Sequence, residues 1–244
     1  MKLLAFDSTA KAASVALAEE GKILSYAVAD NGLTHSEILL PMAEAVLASA
    51  KTTLDEVEGF AVTAGPGSFT GVRIGVATVK GLAQDYLDPD RKNCVAVSTL
   101  EAIAEGIVPL GGLIVPVMDA RRNEVYNAVF RYENGIMTRL CPDRAISLSD
   151  LGEELQSKYA GEVIRLCGDG YELALKALKA YSLRIEETPV LLRTQNAAAV
   201  AAVACRTPRE NWLSEGELRP LYLRLPQAER DRLAKEKTAI LTNE

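Results

Sequence analysis

Apolar residues along the chain fall into short runs of strand length, separated by turns or by longer segments with helix signals. The first three runs cover 2–7, 12–18 and 23–28, and a turn at 19–22 separates the second run from the third. Three such runs with short connections predict an antiparallel meander. The elements predicted next are a helix over 34–50, a strand over 59–64, a helix ending near 85, a strand over 94–97 and a short helix beginning at 98.

The second part of the chain repeats much of this order. The predicted elements are strands over 113–119, 124–132, 136–141 and 163–167, helices over 149–159, 172–180 and 196–205, and an extended stretch over 220–224. Strands that alternate with helices in this way predict an α/β protein. We therefore expect an N-terminal βββαβα half over 1–109, a C-terminal half over 110–225, and a charged, flexible tail over 226–244.

A glycine-rich loop, 65–71, joins the strand predicted at 59–64 to the helix after it. Glycines at such a turn let backbone N–H groups converge on one concavity, and the helix start adds partial positive charge, so the loop is a candidate phosphate site. It lacks the Gly-Lys-Ser/Thr ending of a Walker A loop. The alternative is a tight turn whose glycines allow close packing. The candidate cofactor-binding residues are Gly65 and Gly67 of this loop and Asp7 at the end of the first strand.

Two predicted helices have the composition of a partner-binding surface. The helix over 34–50 is apolar nearly all round, whereas a surface helix has a polar half, so it is either deeply buried or covered by a partner, which we favour. In the next helix Gly71 and Gly75 lie four apart, which lets another backbone approach closely, while the opposite, core-facing side carries Val72, Val76, Val79 and Ala83. The candidate interface residues are His35, Leu39, Met42, Val46, Arg73, Val76 and Lys80.

Composition narrows the classes of function. The 244 residues are 48% hydrophobic and 25% charged, as in a soluble globular protein. The net charge of −6 argues against a large nucleic-acid surface, because phosphate binding needs Lys and Arg. No apolar run approaches the roughly 18 residues of a membrane span, and the apolar start of the chain ends at Asp7, short of a signal peptide. We expect a cytoplasmic protein that does not bind a membrane.

Residues for independent catalysis are few. His35 is the only histidine, so a site built on two histidines is excluded and a His-paired nucleophile has one candidate base. Cys94, Cys141, Cys167 and Cys205 have neither the spacing of zinc ligands nor that of a redox pair, and each lies in or beside an apolar run. We predict no catalytic residue and no metal ligand on this chain.

Five segments together resemble the bacterial TsaB family, formerly YeaZ, and the similarity extends from the first strand to about Glu229. These segments are Phe6-Asp7-Ser8-Thr9, Thr34-His35-Ser36-Glu37-Ile38-Leu39-Leu40-Pro41, Gly65-Pro66-Gly67-Ser68-Phe69-Thr70-Gly71-Val72-Arg73-Ile74-Gly75, Met118-Asp119-Ala120-Arg121-Arg122-Asn123-Glu124-Val125-Tyr126 and Pro220-Leu221-Tyr222-Leu223-Arg224. The resemblance implies the actin/Hsp70-like (ASKHA) fold with two βββαβα-type subdomains, the second one reduced.

The resemblance also implies a function. Members of the family are non-catalytic partner subunits required for threonylcarbamoylation of adenosine 37 in tRNAs reading codons that begin with A. They act with a catalytic subunit, TsaD, and an ATPase, TsaE. ATP and metal are expected on those partners and no cofactor on this chain. tRNA would be met indirectly, through the complex, and the chain alone would form a homodimer through the same surface.

The comparison with TsaD indicates whether this chain has the metal ligands of the catalytic subunit. TsaD carries an HxxxH metal motif after the strand that corresponds to 94–97, and the two histidine positions fall at Thr99 and Ile103 here. Neither residue binds a metal as histidine does. Two alternatives stay open: a weak ATP-binding protein or ATPase in its own right, using Asp7 and the glycine loop, and a glycoprotease-like peptidase.

Overall fold

A computed structural model describes residues 1–86 and 92–224 of the chain. The first half contains one sheet in the order β3-β2-β1-β4-β5, in which β1 to β3 form the predicted antiparallel meander and β1, β4 and β5 run parallel. Its elements are β1 (Lys2–Asp7), β2 (Ala13–Glu19), β3 (Lys22–Ala29), α1 (His35–Ser49), β4 (Gly59–Gly65), α2 (Phe69–Tyr86), β5 (Cys94–Ser98) and α3 (Thr99–Glu105).

The second half repeats this arrangement. Its sheet has the order β10-β9-β6-β7-β8, again with a meander followed by parallel strands. The elements are β6 (Gly112–Asp119), β7 (Glu124–Glu133), β8 (Ile136–Ser147), α4 (Leu148–Lys158), β9 (Val163–Cys167), α5 (Tyr171–Leu178) and β10 (Arg184–Glu186). Two βββαβα halves with matching sheet orders form the predicted actin/Hsp70-like fold.

The second half is reduced in its helices and keeps a five-stranded sheet. Helices α4 and α5 have 11 and 8 residues, against 15 and 18 residues for α1 and α2. The fifth strand, β10, was not predicted, because a three-residue Arg-Ile-Glu segment carries no strand pattern. The prediction of β8 as 136–141 was too short, since the strand continues to Ser147 through register shifts opposite β7.

Alternate residues of β1 face two separate cores, as the two-residue repeat of a strand requires. Leu4 and Phe6 pack with α1 and α2 on one face of the first sheet. Leu3 and Ala5 pack on the other face with α6 (Ala197–Arg206). Helix α3 packs against β6 and β7 and so joins the first half to the second.

The last described part of the chain returns to the first half. Helix α6 covers the first sheet, the buried Trp212 packs in the same core, and Leu218 packs with α1 and α2. The predicted C-terminal half, 110–225, thus includes a segment whose apolar residues pack on the first sheet. The predicted flexible tail, 226–244, lies outside the described residues.

Candidate functional site: the cleft and the helical face

A cleft of about 540 Å³ opens between the two halves. Its walls come from the turn after β1, the glycine loop and start of α2, the end of β6, and the C-terminal stretch 221–224. In folds of this kind the carboxyl ends of parallel strands and a helix start converge on such a cleft, which is where ligands bind. The cleft is therefore the place to test the predicted cofactor residues.

The glycine loop is packed against its own chain. Ser68 N–H donates to the Thr9 carbonyl at 2.8 Å, and a Cβ at Gly67 would lie 2.7 Å from the same oxygen. A Cβ at Gly71 would clash with the Ser8 carbonyl, while the Ser8 hydroxyl donates to the Gly71 carbonyl at 2.8 Å. These contacts support the close-packing explanation of the glycines, because each site is already filled by a backbone that a side chain would displace.

Asp7 is enclosed and does not face the cleft. Its side chain is 0% exposed and accepts hydrogen bonds from the Thr9 N–H and hydroxyl, each at 3.2 Å. Burial raises the pKa of the Asp7 carboxyl, because desolvation penalises its charged form. Of the three candidate cofactor residues, Gly67 alone lies on the cleft wall; Gly65 lies beneath the C-terminal stretch at Leu221.

Two carboxylates that are not among the predicted site residues face the cleft from the second half. Asp119 ends β6 and its N–H donates to Asp169 at 3.3 Å. Asp169 stands in the turn between β9 and α5, where Gly168 has a φ of +99° and a Cβ would clash with the Val117 carbonyl. Desolvation raises the pKa of Asp169 to about 6, with a contribution from the Asp119 charge. The Gly-Asp-Gly sequence was the only signal for this turn.

The positions that correspond to the TsaD metal ligands lie in the protein core. Thr99 and Ile103 are 0% and 1% exposed, and Ile103 packs with α3, β6 and β7. Within 1–86 and 92–224, no three His, Cys, Asp or Glu side chains come together in a group that could hold a metal ion. The same described ranges contain no helix with the length and apolarity needed to cross a bilayer.

Three of the predicted interface residues are buried within the chain and are not on its surface. Leu39, Val46 and Val76 are 1%, 2% and 3% exposed, because α1 and α2 turn these side chains onto the first sheet. Val76 lies on the same face as Val72, Val79 and Ala83, which the sequence assigned to the core. Arg73 is exposed, and the remaining candidates, His35, Met42 and Lys80, are half-buried.

Comparisons with known proteins agree with this fold. The family model "TsaD: tRNA N6-adenosine threonylcarbamoyltransferase" matches residues 30–208. The tRNA threonylcarbamoyladenosine biosynthesis protein TsaB of Escherichia coli (strain K12) is 31% identical over 228 residues, which cover 92% of this chain and 95% of that protein. The protein of the same name from Bacillus subtilis (strain 168) is 34% identical over 158 residues, covering 65% of this chain and 67% of that protein.

A solved structure gives the same result. YeaZ from Pseudomonas aeruginosa superimposes with a TM-score of 0.71 at 27% identity, over 91% of this chain and 99% of that one. The chain belongs to the TsaB (YeaZ) family. The resemblance seen in the sequence is thereby confirmed.

The outward face of α1 and α2 is exposed in this chain. Beyond the first turn of α1, its exposed residues are Leu40, Pro41, Glu44, Ala45, Ala48 and Ser49 on α1 and Thr70, Arg73, Ala77, Gly81 and Gln84 on α2. We call this set the helical face. It is largely apolar or small, and Leu40 is 47% exposed.

None of the residues in 1–86 and 92–224 accounts for a glycine at position 81. A Cβ at this position would meet nothing within 4 Å, whereas Cβ atoms at Gly71 and Gly75 would strike the turn at Ser8. A glycine inside an exposed helix costs roughly 1 kcal/mol relative to alanine. A missing side chain at this point would permit the close approach of another molecule.

Proposed function

We propose that this chain is a non-catalytic partner subunit for threonylcarbamoylation of adenosine 37 in tRNAs reading codons that begin with A. The observation that carries the proposal is the helical face, where exposed apolar and small side chains meet at the unexplained Gly81. The pathway is supported by relatives of this chain that are named tRNA threonylcarbamoyladenosine biosynthesis protein TsaB.

The lack of independent catalysis is part of the proposal. Asp7 is enclosed, the glycine loop is occupied by its own chain, and Thr99 and Ile103 are core residues. An ATPase of this architecture needs an acid and loop amides that face a nucleotide. On this chain the cleft-facing carboxylates, Asp119 and Asp169, lie on the second half instead.

The proposed partner is a TsaD-like catalytic subunit, which would dock on the helical face. A TsaE-like ATPase completes the complex, ATP and metal belong to those subunits, and tRNA is reached through the assembly. Because related chains expose related surfaces, the same helical face would pair two copies of this chain when the partner is missing. We expect that homodimer to be the weaker association.

Reconstitution tests the proposal. This chain, a TsaD-like subunit and a TsaE-like subunit would be assayed singly and together for threonylcarbamoyladenosine in tRNA, with ATP and a threonylcarbamoyl donor. We expect product from the three together and none when this chain is omitted or is used alone. Product from this chain alone, or full yield without it, would contradict the proposal.

A further inference from the structure

The stretch 220–224, which we call the strap, lies directly on the glycine loop. Leu221 N–H donates to the Ala64 carbonyl at 2.6 Å, at the end of β4. The Leu221 carbonyl lies so close to Gly65 that a Cβ there would clash with it, and the φ of Gly65 is +122°. The strap is thus seated in a groove that only glycine leaves open.

An aromatic and cationic cluster fixes the middle of the strap to α2. The ring of Tyr222 stacks on Phe69 with centroids 4.9 Å apart. The Arg73 guanidinium lies 3.9 Å from the Phe69 ring centroid, and its Nε donates to the Tyr222 hydroxyl at 2.7 Å. These contacts anchor the strap to the first half by stacking, cation–π attraction and one hydrogen bond.

The far end of the strap is bound to the second half. Arg224 Nη1 donates to the Ala120 carbonyl at 2.8 Å, and the guanidinium forms an ion pair with Glu124. The Arg224 side chain is only 16% exposed, so water screens this pair less than it screens a surface pair. Between its two attachments the strap forms one wall of the cleft.

The two halves also meet at a second place. Arg139 of β8 pairs with Glu101 of α3 at 2.9 Å, and the Ser98 hydroxyl donates to Asp143 of β8 at 2.5 Å. Helix α3 itself packs on β6 and β7. The halves are therefore connected by a packed junction at α3 and by the strap at the mouth of the cleft.

We infer that the strap is a latch: it holds the two halves closed over the cleft, and release of Arg224 from Ala120 and Glu124 lets them open about the α3 junction. The α3 junction combines apolar packing with polar contacts, whereas the link to the second half at Arg224 is made by polar contacts, so we expect it to separate first. Arg73 belongs to both the strap anchor and the helical face, so partner docking on that face would be coupled to release of the latch. This coupling is the one part of the inference that rests on the proposed function.

Hydrogen exchange of the isolated full chain tests the latch without any partner. The variants are Arg224→Gln, Glu124→Gln and their combination, with Arg219→Gln as the matched control, because Arg219 is an exposed arginine of the same segment that donates to its own neighbour, Leu218. Loss of a charge-assisted hydrogen bond corresponds to roughly tenfold more opening. We expect about that acceleration of amide exchange at 64–66, 118–124 and 221–224.

The outcomes separate cleanly. The latch predicts faster exchange in both single variants, with the larger effect in Arg224→Gln because it also loses the hydrogen bond to the Ala120 carbonyl, no effect of the combination beyond Arg224→Gln, and wild-type exchange in the control. Exchange at the wild-type rate in Arg224→Gln would overturn the inference. So would acceleration spread evenly over the first sheet, because it would show global destabilisation in place of cleft opening.

Discussion

The two halves share one topology but differ in what their helices show to the solvent. The exposed positions of α4 and α5 are mostly charged, among them Asp150, Glu153, Lys158, Glu172 and Lys176. Those of α1 and α2, over the residues whose exposure the structure describes, are mostly apolar or small, and the exposed charges in this range beyond the first turn of each helix are Glu44 and Arg73. A duplicated fold thus carries one solvated half and one half with a surface suited to another protein.

The largest expected effect comes from blocking the helical face. Gly81→Arg places a long side chain where the proposed partner would approach closely, and we expect it to remove at least about 2 kcal/mol of binding free energy, the scale of a central interface residue. Isothermal titration with a TsaD-like subunit measures this.

The matched control for this variant is Gln156→Arg, which adds the same side chain to the exposed face of α4 in the second half. We expect unchanged affinity. Equal losses from both variants would end the distinction between the two halves. The melting temperature of isolated Gly81→Arg should not fall, because arginine is a better helix former than glycine.

Adjacent leucines of α1 separate folding from docking. Leu39 is 1% exposed and Leu40 is 47% exposed. We expect Leu39→Ala to lower the free energy of unfolding by about 2–5 kcal/mol through the cavity it leaves, and Leu40→Ala to change it by less than about 0.5 kcal/mol. Urea unfolding measures both values. Leu40→Ala should instead weaken partner binding. A large loss of stability in Leu40→Ala together with a small loss in Leu39→Ala would show that a different side of α1 faces the core.

Leu39 and Leu40 also show which part of the fold the sequence did not predict. The buried strands were predicted from their apolar runs. The start of α3 was predicted from Ser98, whose hydroxyl accepts a hydrogen bond from the Glu101 N–H at 3.2 Å. Helix α1 is apolar nearly all round, so its sequence does not indicate which side of the helix faces the core. The sequence alone therefore does not distinguish Leu39 from Leu40. The helix was therefore recognised while its outward side was misassigned.

The cleft was harder to predict than the fold. The glycine loop was recognised, but its close packing depends on Ser8, Thr9 and Leu221, which come from distant parts of the chain. Asp119 and Asp169 meet only when the end of β6 reaches the turn before α5. Sequence order contains no direct signal of such long-range contacts.

The acids that end β1 and β6 provide a further contrast between the halves. Asp7 is enclosed, whereas Asp119 is exposed in the cleft. Burial raises the folded-state pKa of Asp7 above its ordinary 3.8. Between the ordinary pKa and the raised pKa, the folded protein therefore holds a proton that the unfolded chain releases, and the free energy of unfolding falls as the pH rises through this range.

Asp7→Asn removes this dependence. We expect its advantage in unfolding free energy over the wild type to grow as the pH is raised upward from the ordinary value of 3.8. Urea unfolding across a pH series measures the difference, with Asp119→Asn as control. A gap that shrinks with rising pH would show that Asp7 is stabilised as a carboxylate.

A small stabilising effect is expected when Gly81 gains only a methyl group. Gly81→Ala should raise the free energy of unfolding of the isolated chain by about 0.5–1 kcal/mol, because alanine loses less backbone entropy in a helix and meets no neighbour. Thermal unfolding measures the change. Destabilisation would reveal an intramolecular need for glycine at this position and weaken the case for a docking surface.

The central claim is that this chain contributes a docking surface and no chemistry of its own. The most direct measurement is the yield of threonylcarbamoyladenosine in tRNA when TsaD-like and TsaE-like subunits are supplied with wild-type chain, Gly81→Arg or Gln156→Arg. We predict full yield with the wild type and Gln156→Arg, and a yield with Gly81→Arg no greater than with the chain omitted. Full yield with Gly81→Arg would contradict the claim.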